Sequence, residues 1–189
     1  MKYSKGDDAS FLSHREAMRA LERALRRSGL PLVFTEGYNP RPRMSFSPAL
    51  PLGVAADAEY LEVTLNEEVD ESGMNERLNR FLPAGLRVRE VRNLSPTMPK
   101  LSRWVHYGLF RVGGGESDVT YVLLALGGEE QGRLKDALQA LEELRGLKVG
   151  YTEVTRTGLY AAPDEIFEDV EGTVLFYDGG EGVLTEMNG

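Results

Sequence analysis

Residues 11–53 read FLSHREAMRALERALRRSGLPLVFTEGYNPRPRMSFSPALPLG. Ser13 followed by Glu16 has the spacing of a capping box, in which the hydroxyl accepts from an early backbone N–H while the carboxylate reaches back. A helix is therefore expected from Ser13, and Gly29 followed by Leu30-Pro31 closes it. Ala17, Met18, Leu21 and Leu25 recur at helical spacing and predict one apolar stripe. Arg15, Arg19, Arg23 and Arg26 fall opposite it, so one face packs and the other presents guanidinium groups.

Working outward, residues 1–12 hold a polar start and then Ala9, Phe11 and Leu12, which read as a weak first strand or hairpin. Leu30–Thr35 reads as a short strand. Pro40, Pro42, Pro48 and Pro51 confine Glu36–Gly53 to a long, constrained loop with short extended pieces around Met44–Phe46. Glu59–Leu65 alternates as a half-buried strand does. Asp70–Leu82 reads as a second helix, with Met74, Leu78, Phe81 and Leu82 inward and Pro83 at its end. Leu86–Val91 alternates again. Strand, helix, strand, strand, helix, strand is the order of a ferredoxin-like βαββαβ sandwich, with both helices on one face of a four-stranded antiparallel sheet. The fold class expected is α+β.

Pro96 and Pro99 mark a linker over residues 95–101, which divides a first subdomain (1–94) from a smaller α+β subdomain (102–189). In the second, Arg103–Val112 and Val119–Leu126 have strand character, and the latter is apolar on both faces, as a central strand is. Glu130–Arg145 reads as a helix with Leu134, Leu138, Leu141 and Leu144 inward and Gly146 as cap. Lys148–Tyr160 reads as a strand. Thr173–Tyr177 and Gly182–Thr185 flank Asp178-Gly179-Gly180 as a terminal hairpin. Gly113–Gly115 and Gly127-Gly128 read as turns.

The totals bound the chemistry. The net charge of −8 is unevenly spread: residues 1–112 carry 17 Lys/Arg against 14 Asp/Glu, and residues 113–189 carry 5 against 16. The acidity belongs to the second half, and a basic patch can sit on a globally acidic chain. Cysteine is absent, which excludes disulfides, thiolate catalysis and a cysteine-bound iron–sulfur cluster carried by this chain. No stretch approaches the roughly 20 apolar residues that span a bilayer, and the polar opening lacks the apolar region of a secretory signal. A cytoplasmic location without membrane partners is expected. Walker, Rossmann and HExxH patterns are missing.

Unpaired Arg forks suit phosphate, which favours a binding role for Arg15, Arg19 and Arg23 over a merely solvated face. In the loop, Arg41 and Arg43 add cations, the prolines hold the backbone extended, and Tyr38 or Phe46 can stack on a base. His14 projects near the apolar stripe, where a buried, hydrogen-bonded histidine is the plain reading; it is the weak candidate for a ligand or acid–base group. Ser13 is better used as cap than as nucleophile. His106, near Trp104 and Tyr107, reads as structural. Glu67/Glu68 and Glu142/Glu143 read as solvated surface. No cofactor or metal site is expected.

Phe11-Leu12-Ser13-His14, Arg19-Ala20-Leu21, Arg23 to Arg27, Gly29-Leu30-Pro31, Gly37 to Pro40, Ser45-Phe46, Ala49 to Gly53 and Glu59-Tyr60-Leu61 carry a resemblance. With Arg156 to Tyr160 further on, they make the chain similar to the bacterial radical-SAM-linked proteins, a domain of unknown function. The resemblance implies an accessory partner of a radical SAM protein. Where relatives show Pro-His-Pro this chain has Pro40-Arg41-Pro42, a departure that speaks against a metal or acid–base role there. In outline the sandwich and basic helix are also similar to the endoribonucleases that process CRISPR repeats, an analogy of fold alone. The leading expectation is a non-catalytic module that holds a tRNA-like RNA for its partner. A docking module for the radical SAM protein, and a metal-independent ribonuclease using His14, are the alternatives.

Overall fold

The computed structural model describes residues 1–95, 97–98, 100–113, 119–129, 131–146, 148–162 and 173–187. It is an α+β protein whose chain divides into two compact units, Met1–Ser102 and Arg103–Gly189. Pro96, Pro99, Gly114, Gly115 and Glu130 lie outside the described residues, and with them parts of the expected linker, one expected turn and the expected start of the last helix.

In the first unit β1 (Lys2–Lys5) leads through a 3-10 turn, Asp7–Phe11, into helix α1 (His14–Arg27). Then follow β2 (Met44–Phe46), β3 (Ala55–Val63), α2 (Met74–Asn79) and β4 (Leu86–Glu90). β1 lies between β3 and β4, antiparallel to both, with Tyr3 opposite Glu59 on one side and Val88 on the other. β2 pairs antiparallel with β3, Phe46 opposite Leu61. Tyr3, Leu61 and Val88 share one buried cluster with Ala17, Ala20, Leu21 and Leu25 of α1 and Met74 and Leu78 of α2. The two helices thus bury their apolar stripes in the same core.

Ser13 caps α1 as its spacing predicts. Its hydroxyl accepts from the Glu16 N–H at 3.3 Å, and the Glu16 carboxylate accepts from the Ser13 N–H at 2.8 Å and from its hydroxyl at 2.6 Å. The stripe differs from the expectation at Met18, which is half-buried, while Ala20 and Ala24 are buried in its stead. Gly85, at φ +82°, opens β4, and a Cβ there would lie 2.4 Å from the Gly6 carbonyl oxygen. Only glycine fits that approach.

Several boundaries move; in the second unit the helix expected over Glu130–Arg145 is formed from Leu134, and the strand expected over Lys148–Tyr160 begins only at Val154, after a 3-10 turn. The expected strand Leu30–Thr35 is reduced to isolated bridges, Leu32 to Leu65 and Phe34 to Pro42, while the extended piece expected at Met44–Phe46 joins the sheet as β2. The second helix is one and a half turns rather than Asp70–Leu82, and Phe81, expected inward, lies beyond its end and is exposed. A single helical turn, α3 (Leu101–Trp104), replaces the start of the strand expected from Arg103; its Leu101 N–H donates to Glu62 at 2.6 Å.

The second unit holds β5 (Tyr107–Val112), β6 (Thr120–Ala125), α4 (Leu134–Arg145), a 3-10 turn at Tyr151–Glu153, β7 (Val154–Tyr160), β8 (Thr173–Asp178) and β9 (Val183–Met187). The strand order within it is β7-β5-β6-β8-β9, antiparallel except for β6 with β8. β6 is central, as its two apolar faces predict: Val122, Leu123 and Leu124 are buried. α4 buries Leu134, Ala137, Leu138 and Leu141, and ends at Gly146, whose φ is +68°. Leu144, expected inward, is 58% exposed. Ala137 takes its place because 134, 137, 138 and 141 already complete the i, i+3, i+4, i+7 stripe.

Candidate anion-binding cleft

The long loop is more ordered than its prolines imply. The Arg43 N–H donates to the Val33 carbonyl and the Thr35 N–H to the Arg41 carbonyl, both at 2.8 Å, and the Arg41 N–H donates to the Thr35 hydroxyl at 3.1 Å. Residues 33–43 therefore form a narrow two-stranded arm with its tip at 36–40. Pro42 sits between the two donating arginines, where no N–H is called for, so a proline is tolerated in the ladder. Alternation along the arm turns Pro42 inward, where it is buried, and leaves Arg41 and Arg43 exposed. Beyond β2, the buried Ser47 hydroxyl donates to Glu59 at 2.9 Å and accepts from the Tyr60 N–H at 3.2 Å, which anchors the loop to β3.

Between α1, the arm and β2 opens a cleft of about 850 Å³. α1 contributes His14, Arg15, Met18, Arg19 and Glu22; the arm gives Thr35, Arg41, Pro42 and Arg43; β2 gives Met44 and Phe46. Four arginines from two elements thus face one space. Among the described residues none of the four pairs with a carboxylate, and the Glu22 carboxylate is already engaged by Arg26 at 2.9 Å. The floor is apolar. Phe46 is half-buried, and the His14 ring meets it edge-on, with centroids 5.8 Å apart and planes at 80°.

Arg26 braces the arm against the helix. Its guanidinium donates to Glu22 through Nε at 3.0 Å and Nη2 at 2.9 Å, reaches the Pro40 carbonyl at 3.3 Å, and lies 5.0 Å from the centre of the Phe34 ring. Cation, carboxylate, carbonyl and aromatic face together hold α1 and the arm in one arrangement.

Of the residues singled out from sequence, the cleft brings together His14, Arg15, Arg19, Arg41, Arg43 and Phe46. Arg23 is exposed on α1 but does not line it, and Tyr38 stands at the arm's tip, 99% exposed. His14 is half-buried in the cleft wall rather than in the core. His106 precedes β5, where its backbone bonds Tyr160 and Leu126. Met18, Thr35, Glu22 and Arg26 had no binding role in the sequence reading, although Arg26 fell on the expected arginine face and Met18 on the expected apolar stripe. The Glu22–Arg26 spacing of four is a local signal for their ion pair, whereas the approach of Thr35 follows only from the arm's pairing.

Among the described residues no group of three or more His, Asp or Glu side chains is placed to hold a metal ion, and no helix is long and apolar enough to cross a membrane. An α+β fold presenting an arginine-lined, aromatic-floored cleft is the class of protein these features define. The chain belongs to the family described as uncharacterized protein conserved in bacteria, DUF2344, whose model matches residues 1–160. The match takes in all of the first unit and runs to the end of β7. No curated protein matches the chain.

Proposed function

We propose that the protein is a non-catalytic RNA-binding module of the cytoplasm that serves a radical SAM partner. The observation that carries the RNA reading is the convergence of Arg15, Arg19, Arg41 and Arg43 on one cleft whose floor is Phe46. Guanidinium forks without carboxylate partners suit phosphate oxygens, and an aromatic face beside them suits a base. We read the first unit as a ferredoxin-like sandwich, because β1 lies between β3 and β4 and β2 pairs with β3 in a β-α-β-β-α-β chain. The radical SAM partner rests on the resemblance of residues 11–65 to proteins of that association. The cleft is on the part of the chain that carries that resemblance.

Fluorescence anisotropy with a labelled tRNA-like RNA and a single-stranded RNA tests the reading. With about four phosphates neutralised, log affinity for the single strand should fall with log salt at a slope of roughly −3. Arg41→Glu with Arg43→Glu should abolish binding at 50 mM salt, since each reversal replaces an attraction by a repulsion. A flat salt response, or no binding by the unaltered protein, overturns the proposal. The RNA should be recovered intact after long incubation; cleavage that disappears in His14→Ala would make the protein a ribonuclease instead.

A further inference from the structure

We infer that the RNA taken by this cleft is unpaired, a single strand or a single-stranded end, with one base against Phe46 inside the cleft and a neighbouring base on Tyr38 outside it. The inference rests on the RNA reading above and goes further, to the class of RNA.

The first observation is the form of the cleft. At about 850 Å³ it has the size of a small-molecule site, roughly 300–1,000 Å³, which admits a nucleotide and excludes the body of a duplex. Phe46 is half-buried there, with one approach already taken by His14. A base reaches the remaining face only if it is unstacked. In an A-form helix the bases are stacked and paired, and proteins read such a helix from its backbone instead.

The second observation is Tyr38. Its ring is 99% exposed, so it adds no packing to the fold. It is nevertheless carried on a braced backbone: the arm is closed by the Thr35–Arg41 and Val33–Arg43 bonds and tied to α1 by Arg26 at the neighbouring Pro40. A ring held out on an ordered arm loses little backbone freedom when a ligand stacks on it. Tyr38 is three residues from Arg41, at most about 11 Å along an extended chain. A strand whose phosphates meet Arg41 and Arg43 therefore passes within reach of it, and the two aromatics bracket the cations. Such bracketing suits consecutive unpaired bases.

The test compares, with the full chain at 50 mM salt, a labelled ten-nucleotide single-stranded RNA, the blunt duplex of the same sequence and that duplex with a single-stranded overhang. The single strand and the overhang should bind at least tenfold tighter than the blunt duplex. Tyr38→Ala should weaken the single strand by about 5- to 150-fold, the usual range for one stacked base, and Tyr38→Trp should retain binding. Thermal melting should be unchanged in both variants. A 2-aminopurine placed in the strand should be quenched on binding, less so in Tyr38→Ala. Equal binding of blunt duplex and single strand, or full affinity in Tyr38→Ala, overturns this inference and leaves the RNA reading standing. If none of the three RNAs binds, both fall.

Discussion

Ser13 and Glu16 are joined by three hydrogen bonds at the start of α1, so the cap also fixes where the cleft residues His14 and Arg15 emerge. Donation by the Ser13 hydroxyl, and then by its backbone N–H, holds the Glu16 carboxyl below its ordinary value of 4.5. An unfolded chain lacks those donors, so it binds the proton more tightly than the folded one. The stabilisation is therefore complete above pH 4.5 and is lost as pH falls through the lower folded value. Ser13→Ala should cost about 0.5–2 kcal/mol in urea melts at pH 7, and the Glu16 titration followed by NMR should move back up. This cap was legible from two letters three positions apart because a capping box is a local device. Gly85 was not, since the atoms that exclude a side chain there belong to Gly6 and Ala9, nearly eighty residues away.

The arm and α1 act as a pair. Neither element alone makes a cleft; the relation between them does, and Arg26 is what sets it. Arg26→Ala should weaken RNA binding about three- to tenfold although Arg26 does not line the cleft, and hydrogen exchange at the Thr35 and Arg43 amides should speed up. The global melting point should change little, because the Glu22 pair is surface-exposed and such pairs contribute at most about 1 kcal/mol. Arg26→Lys keeps the charge but loses the fork and the flat stacking surface, so it should restore only part of the affinity. Unchanged affinity together with faster exchange would separate bracing from binding and refute the positioning role. In the sequence, the helix was legible from its stripe, and the arginines from their spacing. The arm was not, because its pairing joins proline-rich stretches with no alternation of apolar residues to announce it; the extended piece at Met44–Phe46 was expected, but Val33–Phe34 read as a strand and is reduced to an isolated bridge.

Each unit has its own core, and the second depends on residues past the family match. β8 pairs parallel with β6 and buries Val174, Leu175 and Tyr177, yet the match ends at residue 160. A chain ending at Tyr160 would leave the central strand with an open edge and uncover those side chains' neighbours. Three large buried side chains contribute about 5–9 kcal/mol, comparable with the whole stability of a small domain. The truncated chain should therefore lose the second unit's unfolding transition in calorimetry and aggregate on heating; a retained transition would show β8 to be dispensable. The charge asymmetry is a matter for the whole chain as well. Residues 113–189 carry 5 Lys/Arg against 16 Asp/Glu, so the pI of about 4.9 conceals a basic cleft in the first unit.

What the chain's letters determined were the features with short-range causes. The cap at Ser13, the stripe of α1, the alternation of β3 and β4, the two-sided burial of β6 and the glycine stop of α4 each follow from steric and hydrophobic periodicities within a few residues. Arg15, Arg19 and Arg23 were legible for the same reason, as an excess of cations on one helical face, and Arg41 and Arg43 as cations of a proline-rich loop. Tertiary structure decided which of them meet. It set Arg15 and Arg19 across from Arg41 and Arg43, left Arg23 outside, moved His14 from core to cleft wall and put Tyr38 wholly in water. Those outcomes depend on backbone hydrogen bonds and a guanidinium brace between residues 6 or more positions apart. Periodicity carries no information about such contacts, because they are selected by the packing of the whole unit rather than by the residues on either side.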